Sequence, residues 1–488
     1  MTALASRPST STPPPDGPRR PSKRLMLLIP LALAAALVLA FAGRSMVAVV
    51  VVAVLAALAV ATVGLKDHPE YLVPIMIYTL WFEVLGVGPI TMGRVLALLA
   101  PVVILARTAT STWRPRALMP RAWVAVFLFT AWAWCGGFYG LAVSGTSGWL
   151  YQFFAYALGV CYWIAFAVLL EGPEQLLRLL RAWVWIGVPI ALIAVVIYFT
   201  FGNRVFGFSG GPNQYAGYAV TTLPFILLFG REAKGRMRIA YFGIIPIYLG
   251  ALLATGSRAG LLSGFVMGTY IVLTLPGVKL RRRVILVVAG FTGMLALAFL
   301  FALLNPERFS LAAIFSDRGA GRLDIWNAGM QVAREHWLFG LGLGGFAGNA
   351  IKFMQQANNT DITILGSEEV IAQGGINAHN VYLALVLDNG VIGLVLYLSI
   401  IAGALKNLWD LRKNPRWFGL TWAFTGAVIT NLAAGMFGGA LNSKFFWLSA
   451  GAAAGMYFRR RLTAPRGSRR LAMSRVTTST APPVAEAG

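Results

Sequence analysis

Three histidines occur in the 488 residues, His68, His336 and His379, and the last opens the stretch AHNVYLALVLDNGVIGL. A His-Asn pair at the mouth of an apolar helix raises a chemical question. A neutral imidazole near its reference pKa can accept a proton from a hydroxyl group. An arginine fork can hold a phosphate or diphosphate through charge-assisted hydrogen bonds. The arginines in suitable settings are Arg258, within TGSRAG, and Arg318 with Arg322, within SDRGAGRLD. The Gly and Ser residues beside Arg258 interrupt an apolar stretch and free N–H groups at the start of the next helix, where an anion would bind. Asn213, in GPNQ, adds an amide, and Ser257 and Asn380 flank the arginine and the imidazole. Each motif alone also has a plainer reading: a tight turn whose arginine snorkels to the head groups, a surface helix with solvated charges, a structural histidine at a helix start. Gathered on one face of a membrane, they fit glycosyl transfer from a lipid diphosphate carrier to an acceptor hydroxyl, the arginines stabilising the leaving group and His379 taking the proton.

No Walker A sequence, Asp-x-Asp pair or Cys/His ligand cluster occurs, so neither a metal nor a cofactor is expected. GLGLGGF follows a helical stretch rather than a strand and does not read as a dinucleotide site. The two cysteines, Cys135 and Cys161, lie in apolar runs and read as packing residues.

The elements that must position these groups are membrane helices. Hydrophobic residues make up 58% of the chain and charged residues 12%, and the mean hydropathy is +0.71; this is an all-α, polytopic integral membrane protein in expectation. Roughly fourteen apolar runs long enough to cross or nearly cross a bilayer lie between residues 25 and 458, which gives about 12–14 spans. The formal charge of +24 would suggest nucleic acid in a soluble protein, but most Lys and Arg fall in short loops, where they act as an orientation signal. With residues 1–24 as a disordered basic cytoplasmic tail, RTATSTWRPRALMPR, EGPEQLLRLLR, REAKGRMR, KLRRR and KNLWDLRKNPR all fall inside. Helices are expected over 25–304 and 381–458, a second cytoplasmic tail over 459–488, and one large extracytoplasmic loop over 305–380. Within that loop, residues 305–378 hold seven acidic and five basic residues. Leu323, Ile325, Trp326, Met330 and Val332 fall loosely on one face of an amphipathic helix there.

At these residues the sequence resembles the O-antigen ligase and polymerase family of membrane glycosyltransferases. TGSRAGLL, GRLDIWNAGMQVAREHWLFGLGLGGF and AHNVYLALVLDNGVIGL match three motif regions in order and spacing, and GPNQYAGY resembles a fourth, so the likeness covers roughly residues 200–400. Asp388 stands where the family usually has Glu. The resemblance implies a fold of the C type of glycosyltransferases and a metal-independent, inverting transfer. The donor would be an undecaprenyl-diphosphate-linked glycan and the acceptor a glycan or lipid core. It implies that Arg258 and Arg322, with Arg318 nearby, bind the diphosphate, that His379 activates the acceptor, and that Asn213, Ser257, Asn380 and Asp388 support them. The localisation implied is the plasma membrane, with the site on its outer side.

Ligase and polymerase share this chemistry and differ only in acceptor. A lipid-linked oligosaccharide transporter is a different class; it would use an ionisable group at the midplane, and Glu83 is the residue placed for that role. The catalytic reading requires positions 258 and 379 to open to the same side. Single cysteines at these positions, in a background without Cys135 and Cys161, should both react with an impermeant thiol reagent added from outside; labelling from opposite sides would exclude a shared site.

Overall fold

The computed structural model describes residues 64–66, 68–83, 86–87, 90–110, 120–144, 146–202, 205, 207–208, 211–274, 279–304, 322–358, 376–438 and 443–463. Apart from Gly64 they belong to one unit, Leu65–Gly488. Expectations for the N-terminal tail, the first two apolar runs, Arg318 and residues 464–488 lie outside the described residues.

The described residues are helical almost throughout. After a short helix α1 (Leu72–Thr79), a two-residue hairpin pairs β1 (Gly86–Val87) with β2 (Ile90–Thr91), antiparallel, with Val87 opposite Ile90. Helices α2 (Met92–Thr110), α3 (Pro120–Ser144), α4 (Thr146–Leu169), α5 (Pro173–Phe201), α6 (Pro212–Glu232), α7 (Gly235–Gly243), α8 (Ile245–Ala254), α9 (Arg258–Thr274) and α10 (Leu280–Leu304) follow. Then come α11 (Arg322–Glu335), α12 (Gly345–Asn358), α13 (Val381–Leu411), α14 (Pro415–Gly435) and α15 (Lys444–Thr463). Five stretches among the described residues are long and apolar enough to cross a membrane: Gly93–Thr110, Trp123–Ala142, Pro173–Phe201, Gly235–Ala254 and Val381–Leu411. Ala155–Leu169 and Arg258–Thr274 are shorter apolar helices. This is a multi-pass membrane protein.

Between lipid-embedded helices the hydrophobic effect is weak, so close backbone approach and aromatic packing do the work. Helix α15 lies against α4; a Cβ at Gly159 would run into the Trp447 indole, and Cβ atoms at Gly451 and Gly455 would lie 2.6 Å from the Trp163 carbonyl oxygen and 2.8 Å from that of Phe166. Helix α5 is held to the 3-10 turn that follows α1 (Leu80–Phe82) by Trp81, whose ring stacks on Trp183 at 4.4 Å and whose Nε1 donates to the Trp183 carbonyl.

The described part of the long loop has its own small core. Ile325, Ala328 and Val332 of α11 pack with Phe346, Ala350 and Met354 of α12 and with Leu387 of α13. The buried stripe of α11 is Ile325-Ala328-Gly329-Val332, an i, i+3, i+4, i+7 row. Leu323 and Met330, expected on the same face, stand seven residues apart on a neighbouring row and are 56% and 50% exposed. Cys135 also departs from expectation: it is exposed and only Cys161 is half-buried.

Helix α13 carries a break that hydropathy does not reveal. Gly390 has φ +66° and ψ −174°, a conformation open essentially to glycine alone. Around it the 336–341 turn exchanges backbone bonds with the helix: Leu341 N donates to the Leu387 carbonyl at 2.7 Å, and Val391 N to the Trp337 carbonyl at 2.8 Å. A Cβ on Gly390 would collide with the Leu338 carbonyl. Gly390→Ala should therefore lower stability by at least about 1–3 kcal/mol, read as a lower melting temperature of the detergent-solubilised protein. Gly403→Ala, with no heavy atom near the added Cβ, should leave it unchanged or higher.

Candidate active site

The turn before α13 is built from both sides. Asn380, in extended conformation, caps the helix: its Oδ1 accepts from the backbone N–H of Tyr382 at 3.0 Å and of Leu383 at 3.1 Å. Upstream, Trp326 Nε1 of α11 donates to the Ala378 carbonyl at 2.8 Å, and Gln152 Nε2 of α4 donates to Asn377 Oδ1 at 2.8 Å. Between these anchors His379 has φ +49°, and it is the one non-glycine residue with positive φ among the described residues. That backbone state costs about 1–2 kcal/mol and persists because its neighbours over-determine it. The surroundings thus fix the direction of the imidazole.

Among the described residues the imidazole makes no hydrogen bond. Burial, and then the positive charge of Arg322, hold His379 below its ordinary pKa. Both effects disfavour the imidazolium, so at neutral pH the ring is a neutral base. Arg322, at the start of α11 and half-buried, is near enough for its charge to be felt there.

His379 borders a cavity of about 300 Å³ whose other walls come from distant parts of the chain. The start of α6 contributes Asn213, Gln214 and Tyr218; the start of α9 contributes Ala259, Gly260 and Ser263; the end of α14 contributes Asn431, and Ser443 and Phe445 come from the start of α15 and the residue before it. A second cavity of about 130 Å³ is lined by His379 with Gln152, Phe346, Asn380 and Asp388. Ser257 ties the first cavity together. Its Oγ accepts from Gly260 N at 3.0 Å, capping α9, and donates to Asn213 Oδ1 at 2.7 Å. Arg258 is the first residue of α9 and half-buried. Neither Arg258 nor Arg322 lines the 300 Å³ cavity; Arg258 adjoins Ala259, which does, and Arg322 is close enough to His379 for its charge to be felt.

Asp388 borders the second cavity and not the first. It is 5% exposed and accepts from the backbone N–H groups of Gly344 and Phe346, at the start of α12, where a carboxylate meets the positive end of the helix. Asp388 thereby locks the glycine-rich turn onto the helix that carries His379. This gives GLGLGGF a packing role: Gly340 and Gly342 have φ of +74° and +82°, and a Cβ at Gly340 would come within 2.7 Å of the Asn389 nitrogen. A third cavity, about 490 Å³, opens beside this turn and is lined by Trp132, Cys135, Tyr139, His336, Trp337 and Phe339.

Glu83 is not a solitary buried carboxylate. Its Oε1 lies 2.8 Å from Lys444 Nζ, each side chain being 9% exposed, and also accepts from Tyr218 Oη at 3.0 Å; its Oε2 accepts from Gln214 Nε2. The lone midplane acid of the transporter reading is thus, in this structure, one member of a buried ion pair. Sequence reasoning missed Lys444 because its partner is far away in the chain. A lysine entering an apolar helix was the available signal.

Residues 242–398 match the family model described as O-antigen ligase, an interval that includes Ser257, Arg258, Arg322, His379, Asn380 and Asp388. Asn213, Gln214, Glu83 and Lys444 lie outside it. No curated protein matches the chain.

Replacing Arg322 by Gln removes the second cause of the His379 shift, so the imidazole should titrate at higher pH. The rate of diethyl pyrocarbonate modification of the His379 peptide, followed against pH by mass spectrometry, should show its midpoint move up; an unchanged midpoint would place Arg322 out of electrostatic reach.

Proposed function

We propose that the protein, whose residues 242–398 match the family model described as O-antigen ligase, is a glycosyltransferase. It moves an undecaprenyl-diphosphate-linked glycan onto an acceptor hydroxyl at the outer face of the plasma membrane. The observation that carries this reading is the position of His379: a partly buried, neutral imidazole in a fixed turn, on a cavity walled by the starts of α6 and α9, with Arg322 close by.

The acceptor oxygen attacks the anomeric carbon while its proton passes to the His379 ring, and the bond from that carbon to the diphosphate oxygen breaks. The electron pair leaves on the diphosphate, where Arg258 and Arg322, with Arg318, offset the growing charge. Attack opposite the leaving group inverts the anomeric centre. The arginine guanidinium suits this role because its planar fork meets two oxygens at once. Ser257 and Asn213 hold the start of α9 in place, Asn380 holds the helix behind the imidazole, and Asp388 holds the turn between α11 and α12. The acceptor is a lipid core or other terminal acceptor in a ligase, and a second lipid-linked unit in a polymerase.

His379→Ala should lower turnover by about 10²–10⁴ while binding of the lipid-linked donor in nanodiscs stays near wild type, and Arg258→Ala should chiefly weaken that binding, with Arg258→Lys restoring only part of it. Retained turnover in His379→Ala would remove the base from the mechanism. In a deletion strain, mass spectrometry should find full-length glycan on the carrier if the enzyme is a ligase and single repeat units if it is a polymerase.

A further inference from the structure

The cavity beside His379 has a hydrogen-bonding pattern that its internal bonds dictate. Among the described residues, no carboxylate, lysine or arginine lines it. Its hydroxyls and amides differ in how far they are already engaged. Thr221 Oγ1 and Ser263 Oγ donate back to carbonyls of their own helices at 2.7 and 2.8 Å, which leaves them no proton to give. Asn431 is used at both ends, its Nδ2 by the Ala427 carbonyl and its Oδ1 by Ser443 Oγ.

The amides of Asn213 and Gln214 are engaged at one end only. Glu83 can only accept, so the amide atom of Gln214 that faces it must be the NH2 group. Gln214 Nε2 also donates to Tyr218 Oη at 3.0 Å, while the Tyr218 proton goes to Glu83. Both donors of Gln214 are thereby consumed, and Oε1 remains as its acceptor on the cavity wall. At the adjacent residue the order is reversed. Asn213 Oδ1 accepts from Ser257 Oγ, which leaves Nδ2 as a donor. Neither remaining atom has a partner among the described residues.

The carboxylate that sets this order is itself held by Lys444 at 2.8 Å. A buried ion pair contributes little net stability, because desolvation offsets the attraction, so its use lies in fixing geometry. Ser443 and Phe445, on either side of Lys444, also line the cavity, so the pair anchors both its α6 wall and its α15 wall.

We infer that Asn213 and Gln214 form a donor–acceptor pair that reads the hydroxyl groups of an uncharged sugar ring carried on the diphosphate, with Glu83 and Lys444 as its positioning residues. This rests on the glycosyltransferase reading above and adds the substrate group that the 300 Å³ cavity holds. Arginines standing beside the cavity and uncharged amides within it divide the donor into its two chemical parts, the diphosphate and the first sugar.

The test compares two probes on the purified full chain in nanodiscs: undecaprenyl diphosphate without sugar, and the lipid-linked glycans extracted from a deletion strain. Wild type should prefer the glycan-bearing carrier. Gln214→Met, which keeps side-chain bulk but loses both amide groups, should weaken the glycan-bearing probe roughly tenfold and leave the bare carrier unchanged. The double substitution Glu83→Leu with Lys444→Met, which removes both buried charges together and is expected to fold, should move the ratio of the two affinities in the same direction. An unchanged ratio in both variants, or equal loss for the two probes, would overturn the sugar-reading role. Wild type that binds the two probes equally would also overturn it while leaving the glycosyltransferase reading in place, and wild type that binds neither would remove both.

Discussion

Inside a membrane protein, a broken helix must find new partners for every peptide group that the break releases. That constraint governs the region around Gly390. The carbonyl of Leu387 and the N–H of Val391 are taken up by the 336–341 turn, through Leu341 N and the Trp337 carbonyl. The turn cannot leave without orphaning them. Because α11 ends where this turn begins, the described part of the long loop is fastened to α13 by the helix's own unmet hydrogen bonds. Asp388, two residues before the break, adds an ionisable group to the same joint by accepting from Gly344 and Phe346.

From this joint the placement of His379 follows in two steps. Fastening α11 to α13 brings Trp326 over the turn that precedes α13, where its indole holds the Ala378 carbonyl. Asn380 then starts the helix one residue after the imidazole. The histidine is thus caught between a cap that belongs to its own helix and a bond from another. Its backbone is bent into the left-handed region, and its ring stands where α6, α9 and α15 meet. Arg322 joins from α11, the same helix that supplies Trp326, so one element positions the base and tunes its charge.

Some of this was legible in the residues. The sequence places Asn380 beside the imidazole at the mouth of an apolar helix, and the structure adds that it caps that helix. The Gly-Ser-Arg break before α9 reads as a helix start, and the structure adds that Ser257 both caps α9 and holds Asn213. The break at Gly390 was not legible, since Asp-Asn-Gly lies inside a run whose average hydropathy carries it as one span. The buried stripe of α11 was only half legible. Ala328 and Gly329 form its centre, and small residues give little hydrophobic signal although they permit the closest packing. Glu83 illustrates a deeper limit. An acid in an apolar run can be recognised alone, but a partner supplied by α15 has no local trace, and without it the acid invites a proton-coupling role.

The distance along the chain between Glu83 and Lys444 also bears on how the protein is made. Translation delivers Glu83 hundreds of residues before its lysine exists, into surroundings where an unpaired carboxylate is costly and protonation is its cheapest state. Salt-bridge formation is then a late event of biogenesis, completed when α15 inserts along α4 through the close contacts at Gly159, Gly451 and Gly455. A nascent chain halted before α15 would contain the imidazole, the arginines and their turns, yet would lack a wall of the chamber in which they work. Competence arrives with one of the later insertions rather than growing span by span.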